Sequence, residues 1–236
     1  MKNSKTAQLI VALDLETFQE ARKLIDEVGD SVEIFKVGSQ MFISSGTEII
    51  RYLQSKNKKV FLDLKFHDIP NTVALAIKSA ISTFSPLFML TVHTSGGKEM
   101  LEIAVLAAGA HAKALGVARP LIVGVTVLTS TAKDADVESL VLERARLAKR
   151  AGLDGVVASV EEAAHIRREM GPEFLIVTPG IRATDASLND QKRVATPQAA
   201  ILQGSNFLVV GRPITQAPSP RMAVQRILEE MNKGRQ

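Results

Sequence analysis

Residues 61–72 read Phe-Leu-Asp-Leu-Lys-Phe-His-Asp-Ile-Pro-Asn-Thr and set Asp63, Lys65 and Asp68 at the end of an apolar run with the character of a buried strand. Strand side chains alternate faces at a rise of about 3.3 Å, so Asp63 and Lys65 share a face with Cα atoms roughly 7 Å apart, while Leu62, Leu64 and Phe66 take the other. Holding an ionised pair on an apolar scaffold costs several kcal/mol of desolvation unless partners compensate, which makes the pair a candidate functional site. An ordinary ion pair at the rim of a barrel is the duller alternative for the motif alone. Lys36 strengthens the first reading. It interrupts Ile34-Phe-Lys-Val where burial is expected, lysine is almost never fully buried without a partner, and Asp63 is the obvious one.

Short apolar runs alternate with longer amphipathic segments along the whole chain, the pattern of repeated βα units around a parallel sheet. The spacing predicts eight strands, at Leu9–Leu13, Ile34–Val37, Val60–Leu64, Leu87–Val92, Leu121–Val125, Gly155–Ala158, Phe174–Val177 and Phe207–Val210. Between them runs helical periodicity: Phe18, Ala21, Ile25 and Val28 in the first segment; Val73, Ile77, Ala80 and Phe84 in the third; Ala163, Ile166 and Met170 further on; and Val224, Ile227, Leu228 and Met231 in the last. Asn71-Thr72, Thr196-Pro197 and Ser219-Pro220 mark the starts of the third, seventh and last helices. Eight such units predict an α/β fold, a single closed (β/α)₈ TIM barrel over residues 1–236. A doubly wound sheet is disfavoured because no Gly-x-Gly-x-x-Gly turn follows the first strand.

Chemistry on this scaffold belongs at the C-terminal mouth of the strands. Residues after the apolar runs are Asp14, Lys36, Asp63 with Lys65, His93, Thr126, Ser159, Thr178 and Gly211-Arg212. Charges of both signs converge from the first three units, whereas the last two supply a glycine, an arginine and the polar loop Pro179–Ala195. Loops after the seventh and eighth strands often bind phosphate, so Arg182, Gln191 and Arg212 are candidates for that task. Asp14 by itself reads equally well as a polar strand terminus. His111 and His165 sit in helical stretches and are read as structural, and His67 and His93 stand beside the site as supporting or capping groups. Ser95-Gly-Gly-Lys98 lacks the full phosphate-loop spacing. No histidine spacing suggests zinc.

Composition narrows the classes. The 236 residues are 46% hydrophobic and 23% charged, which suits a globular fold. Net charge is +4, a modest excess compatible with a phosphorylated substrate. There is no cysteine, which excludes disulfides, thiolate metal sites and a cysteine nucleophile. Aromatics are 4%, tryptophan is absent and the basic residues are scattered, so no nucleic-acid surface is expected. Leu9–Leu13 is too short for a signal-peptide core, and no segment is long enough to span a membrane, so a cytoplasmic protein is expected.

The motifs together closely resemble the orotidine 5′-phosphate decarboxylase family. The resemblance rests on Leu9-Ile-Val-Ala-Leu-Asp14, Phe35-Lys-Val-Gly38, residues 61–72, Val92-His93, Val125-Thr-Val-Leu-Thr-Ser130, Thr178-Pro-Gly-Ile-Arg182, Asp190-Gln191 and Val210-Gly-Arg-Pro213. Asp-x-Lys-x-x-Asp marks a wider group of barrels; Phe-His-Asp-Ile-Pro-Asn-Thr with Thr-Pro-Gly-Ile-Arg and Val-Gly-Arg-Pro is more specific. The resemblance implies decarboxylation of orotidine 5′-monophosphate to uridine 5′-monophosphate in pyrimidine biosynthesis, with no cofactor and no metal. It implies a charge array of Lys36, Asp63, Lys65 and Asp68, with Lys65 as proton donor. Asp14 would hold the ribose, Thr129 and Ser130 the pyrimidine, and Gln191 would bridge base loop and phosphate. Gly211 and Arg212 would hold the phosphate, helped by Arg182, with Ile69 and Pro179 among the substrate contacts. A homodimer is implied, with Asp68 and Thr72 reaching into the neighbouring subunit's site. Remote phosphate binding would drive closure of the 179–195 loop. The nearest rival is the magnesium-dependent ketogulonate-phosphate type of enzyme, which shares Asp-x-Lys-x-x-Asp but carries a Glu where this chain has Lys36.

Overall fold

The computed structural model describes residues 7–128, 135–182 and 195–235. Eight parallel strands run in chain order: β1 (Gln8–Ala12), β2 (Ile34–Gly38), β3 (Lys59–Phe66), β4 (Met89–His93), β5 (Leu121–Val125), β6 (Gly155–Val157), β7 (Leu175–Thr178) and β8 (Phe207–Val210). Each pairs with the next, and β8 pairs with β1 through Gln8 opposite Phe207 and Val11 opposite Val210, closing the barrel. The expected (β/α)₈ barrel is therefore the observed one.

Outside the strands lie α1 (Phe18–Val28), α2 (Ser39–Ser45), α3 (Thr47–Ser55), α4 (Pro70–Phe84), α5 (Gly97–Leu115), α6 (Ala135–Arg150), α7 (Val160–Met170), α8 (Pro197–Leu202), α9 (Arg212–Thr215) and α10 (Pro220–Lys233). The second helical segment is two helices because Gly46, at φ +52°, turns the chain where residues with a Cβ are strained. Thr196 and Ser219 cap α8 and α10 through their hydroxyls, as their sequence positions suggest. The third expected start differs. Here Pro70 occupies the first turn after Ile69, and neither Asn71 nor Thr72 is the cap; a proline fixes φ and lacks the N–H that a first-turn residue would leave unpaired.

Two apolar layers follow from the period-two alternation. Ile10 and Ala12, Ile34, Phe61, Met89, Val123, Leu175 and Val177, and Phe207 and Val209 fill the barrel interior. Val11, Phe35, Val37, Leu62, Leu90, Ile122, Ile176 and Leu208 face outward and bury the apolar stripes of the helices, among them Ala21, Ile25 and Val28 of α1 and Val73, Ile77 and Phe84 of α4. Extending the inward parity by one more position reaches Asp14, Lys36, Asp63, Thr91 and Gly211. The same alternation that packs the interior thus delivers polar groups to the mouth. Among the described residues no helix is long and apolar enough to cross a membrane.

Strand β3 departs from regular pairing. Phe61 opposes Met89 and Leu62 opposes Leu90, but Phe66 opposes Val92, so four steps on β3 match two on β4. This bulge carries Lys65 at φ +51°, a left-handed conformation uncommon for a residue with a long side chain. Such strain costs on the order of 1–3 kcal/mol and persists where surrounding contacts hold it, often at functional sites.

Candidate active site

Four side chains of alternating sign stand in a row across the β1–β3 side of the mouth. Lys36 Nζ lies 3.1 Å from Asp14 Oδ1 and 3.6 Å from Asp63 Oδ2, and Lys65 Nζ lies 2.9 Å from the same Asp63 oxygen. Lys36 and Asp63 are buried, while Lys65 and Asp14 are partly open to the cavity. Burial would push the Asp63 carboxyl up, but the charges of Lys36 and Lys65, with hydrogen bonds from Lys65 and Thr91, carry it below its ordinary value. Asp63 is therefore held ionised. Gly38 leaves the row its room: a Cβ there would stand 3.0 Å from Lys36 Nζ and 3.4 Å from Asp14 Oδ1.

The row lines a cavity of about 420 Å³. Strand β7 is diametrically opposite β3 in a ring of eight, so the segment after it, Pro179–Arg182, forms the far wall, and Gly211 and Arg212 border the cavity at the end of β8. The backbone N–H of Arg182 donates to the Ala195 carbonyl at 3.0 Å, pinning together the two described ends of the β7–α8 connection. Phe61, Val125, Val157 and Val177 supply an apolar floor, with Val127 and Leu128 at the edge. Among the described lining residues, Lys36, Lys65, Arg182 and Arg212 outnumber Asp14 and Asp63, which fits an anionic ligand with a partly apolar body.

Other strand-end residues serve the scaffold. Thr126 Oγ1 donates to the Val157 carbonyl at 2.8 Å, and Thr178 Oγ1 bonds Ser205 Oγ at 2.7 Å. Both have outward parity, and that, not their place at a strand end, decides their role. The Ser159 N–H donates to Glu162 Oε2 at 2.8 Å at the start of α7. His93 Nδ1 accepts from the Ser95 N–H and caps the turn at Thr94–Gly96, and its ring stacks on His67 with centroids 5.2 Å apart. Burial, and then the neighbouring His67, Arg144 and Lys65, hold His93 below the ordinary histidine value. His111 bonds Ser82 and His165 pairs with Glu138 on the helical surface. Among the described residues no three His, Cys, Asp or Glu side chains are grouped to hold a metal.

Comparison with known proteins agrees with this architecture. Residues 7–227 match the model of the Orotidine 5′-phosphate decarboxylase / HUMPS family. The chain belongs to that family. It is 44% identical over 233 residues to the orotidine 5′-phosphate decarboxylase of Moorella thermoacetica, covering 95% of this chain and 92% of the relative. It is 46% identical over 232 residues to that of Carboxydothermus hydrogenoformans, covering 95% of each. The crystal structure of orotidine 5′-phosphate decarboxylase from Lactobacillus acidophilus superposes with a TM-score of 0.82 at 37% identity, over 96% of this chain and 99% of the other.

Of the residues singled out by the orotidine 5′-phosphate decarboxylase resemblance, Asp14, Lys36, Asp63, Lys65, Pro179, Arg182, Gly211 and Arg212 surround one cavity. Asp68, Ile69 and Thr72 are exposed and do not line it on their own chain; Asp68 Oδ1 accepts from the Ile69 N–H at 2.7 Å. Thr129, Ser130 and Gln191 lie outside the described residues, as does 183–194 of the polar loop. Gln40, Pro213 and Gln216 line the cavity without having been singled out, and Thr91, beneath it, bonds Asp63. Thr91 carried a signal: it is a polar residue in the middle of the apolar run Met-Leu-Thr-Val, at an inward position.

Proposed function

We propose that this chain converts orotidine 5′-monophosphate to uridine 5′-monophosphate and CO₂, the step of pyrimidine biosynthesis that yields uridine 5′-monophosphate, using its own side chains and no cofactor. The observation that carries the proposal is the Lys36–Asp63–Lys65 row lining one cavity with Arg182, Gly211 and Arg212. Family membership and the names of the relatives support the substrate.

Breaking the bond between C6 and the carboxylate leaves an electron pair in the plane of the pyrimidine, where the ring π system cannot delocalise it. A fixed ammonium at C6 stabilises that charge and then supplies the proton, so Lys65 Nζ is the proton donor and is reprotonated from solvent after product leaves. Asp63 holds Lys65 in place at 2.9 Å, and Lys36 in turn keeps Asp63 ionised. Lys65 sits on the strained, left-handed backbone of the bulge, a conformation that the surrounding contacts must hold in place. Asp14 binds the ribose hydroxyls, the apolar floor receives the base with Thr129 and Ser130, and Arg212, Gly211, Arg182 and Gln191 take the phosphate. Interactions at that remote end hold the reacting carbon against Lys65. Lys36 also argues against a magnesium-dependent relative: its ammonium, 3.6 Å from Asp63, stands where that type of enzyme carries a Glu that helps to bind the ion, and would repel it.

Asp68 and Thr72 complete the site of a second copy in a two-fold dimer. In support, both are exposed at the start of α4, where a second copy can reach them, and neither lines the cavity of its own chain. The test of the activity is to incubate the purified chain with orotidine 5′-monophosphate and follow both products. We expect one uridine 5′-monophosphate per CO₂; absence of both would reject the reading.

A further inference from the structure

Asp63 is gripped on both oxygens. Oδ2 faces Lys36 and Lys65, and Oδ1 accepts a hydrogen bond from Thr91 Oγ1 at 3.0 Å. The same hydroxyl oxygen accepts the backbone N–H of Lys65 at 2.8 Å. Thr91 is fully buried. Its use differs from that of its neighbours: Thr94 and Thr126 donate their hydroxyls to the main-chain carbonyls of Val125 and Val157, the ordinary way to satisfy a buried threonine. Thr91 instead donates to a carboxylate. It stands beside the bulge, where regular β3–β4 pairing lapses and the Lys65 N–H needs another acceptor.

We propose that Thr91 is a positioning residue for decarboxylation, its single hydroxyl orienting the Asp63 carboxylate and anchoring the left-handed backbone of Lys65, so that the proton donor and its counter-ion are set by one atom. The proposal rests on the functional reading above. Because the hydroxyl proton is committed to Asp63 Oδ1, the oxygen presents its lone pairs to the Lys65 N–H, and the two bonds fix each other's geometry. Rotation of the Asp63 carboxylate would carry Oδ2 away from both ammoniums. Release of the Lys65 amide would let the strained φ relax toward ordinary strand geometry and move Nζ. Both of these hydroxyl bonds go to groups at the reacting end, while Arg212 and Gly211 at the phosphate end remain as they are.

The test compares Thr91→Val, which keeps the shape and removes the hydroxyl, with Thr91→Ser, which keeps the hydroxyl. For T91V we expect kcat on orotidine 5′-monophosphate to fall about 10–100-fold with KM changed less than about threefold, and T91S to stay within about threefold of wild type in kcat. Thr91 helps to lower the Asp63 pKa, so a ¹³C titration of the Asp63 carboxyl should show its midpoint raised in T91V and unmoved in T91S. T91V with wild-type kcat and an unmoved midpoint would overturn the proposal. So would a folded T91S as impaired as T91V. If T91V does not fold, T91S decides alone: retained kcat and midpoint support the hydroxyl's role, and loss of either refutes it. A wild-type protein without turnover would reject the functional reading, and the titration would then decide the positioning role without it.

Discussion

Removal of Lys36 should be felt in stability as well as in turnover. Its ammonium is 3.6 Å from Asp63, and both side chains are only 11% exposed, so water screens the pair little. At an effective dielectric near 20, two unit charges at that distance attract by about 4–5 kcal/mol. Removing one member of a buried pair costs about 3–5 kcal/mol, because the other is left uncompensated. Lys36→Met should approach the lower end of that range, since Lys65 still holds Asp63 at 2.9 Å. Replacing Asp63 as well, in Lys36→Met/Asp63→Asn, removes the stranded carboxylate, so the double variant should be more stable than the two single losses summed, by about 2–3 kcal/mol. Urea unfolding of the four proteins at pH 7 measures this coupling. The pH dependence has a definite sign. Asp63 is depressed in the folded state, so its stabilisation is complete above the ordinary carboxylate value of about 4 and is lost as pH falls through its lower folded value. The gap between wild type and Lys36→Met should therefore narrow in acid as Asp63 becomes neutral. Coupling within about 0.5 kcal/mol of zero, or a gap that widens in acid, would refute the view of Lys36 and Asp63 as one electrostatic unit.

Further outcomes follow from the two ends of the cavity and from the exposed start of α4. Arg212→Ala should lower kcat/KM for orotidine 5′-monophosphate about 10–100-fold and barely affect the phosphate-free nucleoside, the worth of one charge-assisted contact; equal losses on both substrates would contradict a phosphate role. Asp68→Asn and Lys65→Ala, each inactive alone, should regain about a quarter of wild-type activity when mixed and allowed to exchange, because half of the randomly formed dimers carry one intact site. No recovery in a mixture shown to exchange subunits would reject the action of Asp68 across an interface.

The barrel was legible because its strands are buried on both faces and so read as apolar runs, and because the helices between them carry a clear 3.6-residue stripe. Lys36 and Asp63 were legible for the same reason, as charges where burial demands partners. At β4, β5 and β7 strand parity, and not position at the strand end, decides which polar residues reach the site. Counting inward positions from Met89, Val123 and Val177 separates Thr91, which reaches Asp63, from Thr126 and Thr178, which face outward and tie strands to their surroundings. The bulge that sets Lys65 at φ +51° had no sequence signal, since nothing in Leu-Asp-Leu-Lys-Phe marks a left-handed residue where glycine would be expected. The start of α4 lies at Pro70, ahead of the polar Asn71 and Thr72, because a first-turn proline leaves one fewer N–H for a side chain to cap. Asp68 and Thr72 could be given a role only through the family resemblance, because no spacing within one chain tells which copy's cavity a side chain serves.

The most direct test is the turnover of orotidine 5′-monophosphate by chelator-treated wild type and by Lys65→Ala, measured side by side with binding of a product analogue. We expect full turnover without metal in the wild type and none in Lys65→Ala, with the analogue bound by both. Loss of wild-type activity on chelation, or near-normal CO₂ release by Lys65→Ala, would contradict decarboxylation by a fixed ammonium held on Asp63.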